Sequence, residues 1–203
     1  NKRVTEQNYT SDYIVLKKWL KHPARQSHTN TEIINSWINK FNFVEENIAE
    51  NQTGLREPQI AALYSILSHL KVSDEIGNVV MPTGTGKTET MLSALIAGKL
   101  NKVLITVPSD ALRNQIANKF YRLGLLKKFG IVNQDALYPR VGILYQNFST
   151  QADLIDFIDS SSVVVTTMSI LANNSDATLS LLNDRFTNVF IDEAHHIEAN
   201  SWK

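Results

Sequence analysis

The strongest constraint on how this chain folds is a set of five short apolar runs. They are Asn78-Val79-Val80-Met81, Val103-Leu104-Ile105-Thr106-Val107, Val141-Gly142-Ile143-Leu144, Val163-Val164-Val165-Thr166 and Val189-Phe190-Ile191. Each is rich in β-branched side chains, and its hydrophobicity is continuous rather than alternating. Strands of that texture are buried on both faces, as in a parallel sheet. Helical patterns fall between the runs, over 89–100, 110–128, 152–158 and 177–182. Another covers 58–70, with Pro58 in the first turn, where helices tolerate it. This alternation predicts a doubly wound α/β fold with a parallel sheet. Ligands in such folds bind beyond the carboxyl ends of the strands.

The first run leads into Met81-Pro82-Thr83-Gly84-Thr85-Gly86-Lys87-Thr88, which in turn leads into a predicted helix. Strand, glycine-rich loop and helix in that order make a phosphate cradle. The glycines let the backbone curl so that N–H groups converge on one anion, and the helix adds its N-terminal dipole. Pro82, Thr83, Gly84, Thr85 and Gly86 form the cradle. Lys87 is placed for β and γ phosphates, and the Thr88 hydroxyl for one Mg2+ coordination position. The generic pattern Gly-x4-Gly-Lys-Ser/Thr puts a glycine at position 81, where this chain has Met81. The plain alternative is a glycine-rich turn between strand and helix, which Gly-Lys-Thr in this context disfavours.

The last run ends in Asp192-Glu193-Ala194-His195, on the same sheet edge as the loop. Asp192 suits Mg2+, held through water, and Glu193 suits polarisation of an attacking water. The alternative, acidic residues opening a helix, is favourable in itself but loses weight beside a phosphate loop upstream. A zinc-protease spacing, His-Glu-x-x-His, is absent. His195 fits a γ-phosphate sensor or a bridge to a neighbouring lobe. A solvated helix-start histidine is the other reading, and it suits His196 better.

Residues 1–53 have a different texture. They hold two of the three tryptophans, Trp19 and Trp37, and read as short amphipathic helices. Tyr13, Leu16 and Leu20 share one helical face, and Ile34, Trp37, Ile38 and Phe41 share another. His22-Pro23 breaks the first helix, and Thr29-Asn30-Thr31 caps the second. Asn51-Gln52-Thr53-Gly54 then separates this helical appendage from the α/β unit of 54–203. With 43% hydrophobic and 20% charged residues, the 203-residue chain has an ordinary globular composition. No apolar run approaches the ~20 residues that span a bilayer. The polar start lacks a signal-peptide pattern and an initiator Met, as expected of a segment cut from a longer protein. The absence of cysteine excludes disulfides, thiolate zinc and cysteine nucleophiles, and fits a cytoplasmic setting. Twenty basic and twenty acidic residues balance, so charge alone makes no argument for nucleic acid.

Taken together, these motifs resemble the superfamily two helicases, in particular the DEAH-type group with the motor subunits of type III restriction enzymes and related DNA translocases. The phosphate loop is similar to that group's small-x-x-Gly-x-Gly-Lys-Thr, with Met81 at the small position. Leu55-Arg56-Glu57-Pro58-Gln59 resembles the Leu-Arg-Pro-Tyr-Gln that opens the first lobe, so Gln59 is matched to the glutamine that reads adenine and Arg56 to its neighbour. Glu57-Pro58 replaces Pro-aromatic there. Val107-Pro108-Ser109-Asp110-Ala111-Leu112-Arg113-Asn114-Gln115 is similar to motif Ia. Val165-Thr166-Thr167-Met168-Ser169 resembles the strand-end threonine motif. Asp192-Glu193-Ala194-His195 matches the DEAH box. The resemblance spans residues 55 to 197, with five motifs in order.

The resemblance implies a RecA-like P-loop NTPase lobe that uses ATP and Mg2+ and acts on nucleic acid, with DNA favoured over RNA and a setting in restriction, defence or repair. It implies a backbone track at Pro108, Ser109, Arg113, Gln115, Thr166 and Thr167, whose hydroxyls and N–H groups grip phosphates without reading bases. Ser109 also reads as a plain helix N-cap. Lys119, Arg122, Lys127 and Lys128 read as a solvated helix face. The Ser-Ala-Thr motif and the second lobe with its arginine finger are absent, so the segment alone is expected to hydrolyse ATP slowly or not at all. Residues 1–53 are candidates for docking a protein partner or contacting DNA. A nucleotide-regulated clamp is the competing function.

Overall fold

The computed structural model describes residues 17–20, 28–148 and 150–194. The sheet has five strands: β1 (Lys17–Leu20), β2 (Val103–Val107), β3 (Val141–Leu144), β4 (Val163–Thr167) and β5 (Asn188–Ile191), in the order β1-β3-β4-β2-β5. The four strands β3, β4, β2 and β5 run parallel, and β1 adds antiparallel to the outer side of β3. The helices are α1 (Asn30–Asn35), α2 (Glu57–Val72), α3 (Lys87–Ala97), α4 (Asp110–Arg122), α5 (Gln151–Asp159), α6 (Met168–Ala172) and α7 (Asp176–Arg185).

The continuous apolar runs are explained by cover on both faces. Val103, Ile105 and Val107 of β2 join one core with α3 and α4, through Leu92, Leu95, Ile116 and Phe120. Leu104 points the other way, into a second core with Leu154, Phe157, Leu171 and Leu182 from α5, α6 and α7. Val163, Val164 and Val165 of β4 divide in the same manner. Every residue of β2, β3 and β4 is buried. The outer edge of β5 has no strand partner among the described residues, and Val189 and Ile191 are 50% and 36% exposed.

Several expectations are corrected. Residues 78–81 form no strand: Val80 is 96% exposed, and the segment pairs with nothing described. The predicted helix around Tyr13, Leu16 and Leu20 is, over Lys17–Leu20, a strand registered with β3. Over four residues the two periods cannot be told apart, and a partner more than a hundred residues away decides. Tyr13 and Leu16 lie outside the described residues. The second helix begins as predicted, with a capping box between Thr29 and Glu32, but it ends at Asn35 and buries Ile33. Trp37 lies beyond it, 1% exposed, and its Nε1 donates to Leu137 O at 2.8 Å. Ile33 and Trp37 share the core of α3 and β2, and Phe41 bridges to Val132. From His28 onward the stretch read as an appendage is therefore built into the α/β unit. Helix α4 stops at Arg122 because Leu123 and Gly124 turn left-handed, at φ 58° and 51°.

Candidate functional site

Helix α2 supports the phosphate loop. Glu57 and Pro58 open it in positions that need no intrahelical donor. The Gln59 side chain, 5% exposed, then braces two backbone segments. Its Oε1 accepts from Arg56 N at 2.9 Å, and its Nε2 donates to Gly86 O at 3.2 Å. Arg56 Nη1 donates to Gly84 O at 3.0 Å. The residues matched to adenine recognition are thus brought against the loop, where in this structure they hold its backbone.

Within the loop, the Thr85 hydroxyl donates to Pro82 O at 2.6 Å and its N–H to the same oxygen at 3.3 Å. Gly86, at φ 90°, turns the chain into α3, whose first residue is Lys87. Thr88 follows in the first turn, half-buried. Pro82, Thr83 and Gly84 are exposed.

The carboxylates arrive from the other side. The ladder of β5 against β2 runs one residue past the strand, with Asp192 N donating to Thr106 O at 2.9 Å. Glu193 then turns left-handed, at φ 54°, and its N–H donates to Asp192 Oδ1 at 3.1 Å. That turn aims the Glu193 side chain at the loop: Lys87 Nζ donates to Glu193 Oε1 at 2.6 Å, both side chains being less than one-third exposed. Burial holds the Asp192 carboxyl above the ordinary range, and the Glu193 charge pushes it further, against a smaller opposing pull from Lys87. Asp192, partly desolvated beside Glu193, and the Thr88 hydroxyl in the first turn of α3 are oxygen donors of the kind a hard cation such as Mg2+ takes. No cluster of three or more His, Asp or Glu suited to a metal occurs among the described residues. His195 lies outside them.

The residues expected to form a nucleic-acid track divide by exposure. Pro108, Ser109 and Gln115 are exposed at the start of α4, and Ser109 Oγ caps it by accepting from Leu112 N. Arg113, Thr166 and Thr167 do not meet the expectation. Arg113 is 3% exposed, bound to Asp110 Oδ1 at 3.0 Å and stacked 4.3 Å over the Tyr145 ring. Thr166 is fully buried, its hydroxyl directed at Leu144 O, and buried Thr167 bonds Ser169. Both threonines lie inside β4 rather than past its end. The solvated-face reading also fails for Lys127. It is buried, donates to Gln134 O and Ala136 O, and sits over Tyr138. Sequence reasoning missed Glu89, whose carboxylate meets Lys119 Nζ at 2.8 Å. The signal available was a carboxylate one turn beyond Thr85-Gly86.

No described helix is long and apolar enough to cross a membrane. Among solved structures the chain is similar to a hypothetical ATP-dependent RNA helicase from Sulfolobus tokodaii, at 20% identity and TM-score 0.47, over 81% of this chain and 41% of that one. It is also similar to the UvsW helicase from bacteriophage T4, at 16% identity and TM-score 0.49, over 86% of this chain and 54% of that one. The chain thus spans about half the length of these proteins or less. No curated protein matches it. The family profile for the type III restriction enzyme res subunit, ResIII, matches residues 52–203. That match covers the phosphate loop, the carboxylate pair and the strands joining them, so the chain belongs to the ResIII family and carries the first RecA-like lobe of a helicase-superfamily ATPase.

Proposed function

We propose that the full-length protein is an ATP-driven motor on nucleic acid, with DNA preferred to RNA, and that these residues supply one wall of its ATP site. The observation that carries this reading is the Lys87–Glu193 contact at 2.6 Å, which joins residues 106 positions apart at one end of the sheet. Converging N–H groups at the start of α3 and the mobile charge of Lys87 suit a triphosphate. Glu193 is the general base. Its carboxylate accepts from Lys87 Nζ, and that contact gives way when Lys87 turns to phosphate. Thr88 and Asp192 would hold Mg2+, which when bound neutralises developing phosphate charge. DNA is favoured because Asp-Glu-Ala-His-His-Ile and Leu-Arg…Gln read like the restriction and repair branch. Pro108, Ser109 and Gln115 carry the track on this lobe. Turnover needs a second lobe with its arginine finger, a contribution of about 10³–10⁵-fold.

The test is ATP hydrolysis by the full-length protein with single-stranded DNA, duplex DNA and RNA, alongside Glu193→Gln. DNA is expected to stimulate most, and Glu193→Gln to lower turnover by about 10²-fold or more with ATP still bound. A motor is ruled out if no nucleic acid stimulates hydrolysis. Nucleotide-dependent grip on DNA without stimulated turnover identifies a clamp. Intact turnover in Glu193→Gln removes the base assignment.

A further inference from the structure

Glu89 stands in the first turn of α3, two residues after Lys87. The N–H groups and dipole of that turn are what attract an anion. A carboxylate in the same place competes with the polyphosphate for that potential. It is also close to the loop. Glu89 Oε2 lies 3.6 Å from where a Cβ on Gly86 would stand, and Oε1 lies 3.8 Å from the equivalent point on Gly124. The carboxylate does not stand alone, however. Lys119 reaches across from α4 and donates to Oε1 at 2.8 Å, the two side chains being 35% and 18% exposed. On α4 alone Lys119 reads as one more solvated lysine, yet it is the cation paired with the carboxylate beside Gly86.

We propose that Lys119 is a positioning residue for nucleotide: it cancels the charge of Glu89 beside Gly86 and so sets how tightly the loop holds a triphosphate. This rests on the nucleotide reading above. Removing the lysine leaves the Glu89 carboxylate without that cation beside the loop that would hold the phosphates. In a partly exposed site, screened by salt, one added negative charge facing a triphosphate weakens binding by about three- to tenfold. A packing role would weaken nucleotides irrespective of their charge.

The experiment titrates a fluorescent ATP analogue and its ADP counterpart into the full-length protein. The variants are Lys119→Met, Lys119→Arg, Glu89→Gln and the double variant Glu89→Gln/Lys119→Met. Lys119→Met should bind ATP about three- to tenfold more weakly, ADP should lose less, and the deficit should shrink as salt rises. Lys119→Arg should restore binding. Glu89→Gln should bind at least as tightly as the parent, and the double variant should match Glu89→Gln. The inference is overturned if Lys119→Met binds normally, if it loses as much in the Glu89→Gln background, or if ATP and ADP suffer alike. Should Lys119→Met fail to fold, weaker ATP binding by Glu89→Gln overturns it. A parent protein that binds no ATP overturns the nucleotide reading itself, and this inference with it.

Discussion

Replacing Gly86 by alanine separates two reasons for the glycine that closes the loop. Gly86 has φ +90°, a conformation that costs an L side chain about 1–2 kcal/mol. The new Cβ would also stand 2.3 Å from Gln59 Nε2 and 3.1 Å from Gln59 Cδ. The amide must then leave a nearly water-free position, in which it bonds both Arg56 N and Gly86 O. Leaving such buried groups without partners costs about 1–3 kcal/mol. The two contributions predict a loss of about 2–5 kcal/mol for Gly86→Ala. Gly84 provides the control: at φ +81° it has no heavy atom within 4 Å of a built Cβ, so Gly84→Ala carries only the backbone cost of about 1–2 kcal/mol. In a Gln59→Ala background the steric part disappears. Gly86→Ala there should cost about 1–2 kcal/mol, a coupling of about 1–3 kcal/mol in the cycle. Urea denaturation of the parent, both single variants, the double variant and Gly84→Ala reads all of these. If Gly86→Ala costs no more than Gly84→Ala, or the coupling falls below about 0.5 kcal/mol, the Gln59 brace is not what holds the loop.

Three further perturbations probe other parts of the structure. Trp37→Ala should cost about 3–5 kcal/mol, because it empties a position in the main core and strands Leu137 O; at about 2–4 °C per kcal/mol the melting temperature falls by about 6–20 °C, and a fall below about 2 °C would show that residues 28–53 do stand apart. Asp192→Asn should raise the melting temperature at neutral pH while abolishing Mg2+-dependent hydrolysis. Burial raises the folded-state pKa of Asp192 above its unfolded value, so its ionised form opposes folding near neutrality and the penalty is relieved as pH falls through the folded value. The stability gap between variant and parent should therefore close on acidification, and a gap that widens would refute the sign. Thr166→Val should lower stability by about 1–2 kcal/mol and leave DNA affinity within about twofold, since its hydroxyl faces Leu144 O inside the sheet; a tenfold loss of DNA affinity would mean that the end of β4 opens.

Strands β2, β3 and β4 were legible in the sequence because burial on both faces writes itself as an unbroken run of apolar residues, and β5 carries the same texture although Val189 and Ile191 are exposed. Residues 78–81 carry the same texture and stay outside the sheet. Texture reports that a segment tolerates burial, whereas pairing needs a neighbour, and the outer edge of β5 meets none among the described residues. β1 failed for the opposite reason. Its four residues carry too little pattern to fix a period, and only registration with β3 makes them a strand. The end of α4 shows local geometry overriding charge pattern. Lysines continue to 128, but Leu123 and Gly124 turn left-handed and Lys127 is carried into the core, where two carbonyls and the Tyr138 ring meet its charge.

The site divides along the same line. Gly84, Gly86, Lys87, Thr88, Asp192 and Glu193 stand out in the sequence because phosphate chemistry needs such residues at short, fixed spacings, and the fold brings Lys87 against Glu193 although no strand leads into the loop. The track residues follow from motif resemblance and from their place at or just past strand ends, and strand-end position is an incomplete criterion. A residue at the carboxyl end of a parallel strand is on the ligand edge, but its side chain leaves the strand above or below the sheet, where helices cover it. Thr166 pairs in register with Thr106, and both are fully buried; Thr106 Oγ1 has no hydrogen-bond partner among the described residues. A hydroxyl so placed serves the sheet or nothing. Reach toward a ligand begins only where the chain has left the ladder, as Pro108 and Ser109 do after β2 and as Glu193 does after β5. On that rule the Lys119–Glu89 pair, which lies on two helices and on no strand end, is invisible to motif reasoning and becomes evident only once α3 and α4 are packed side by side.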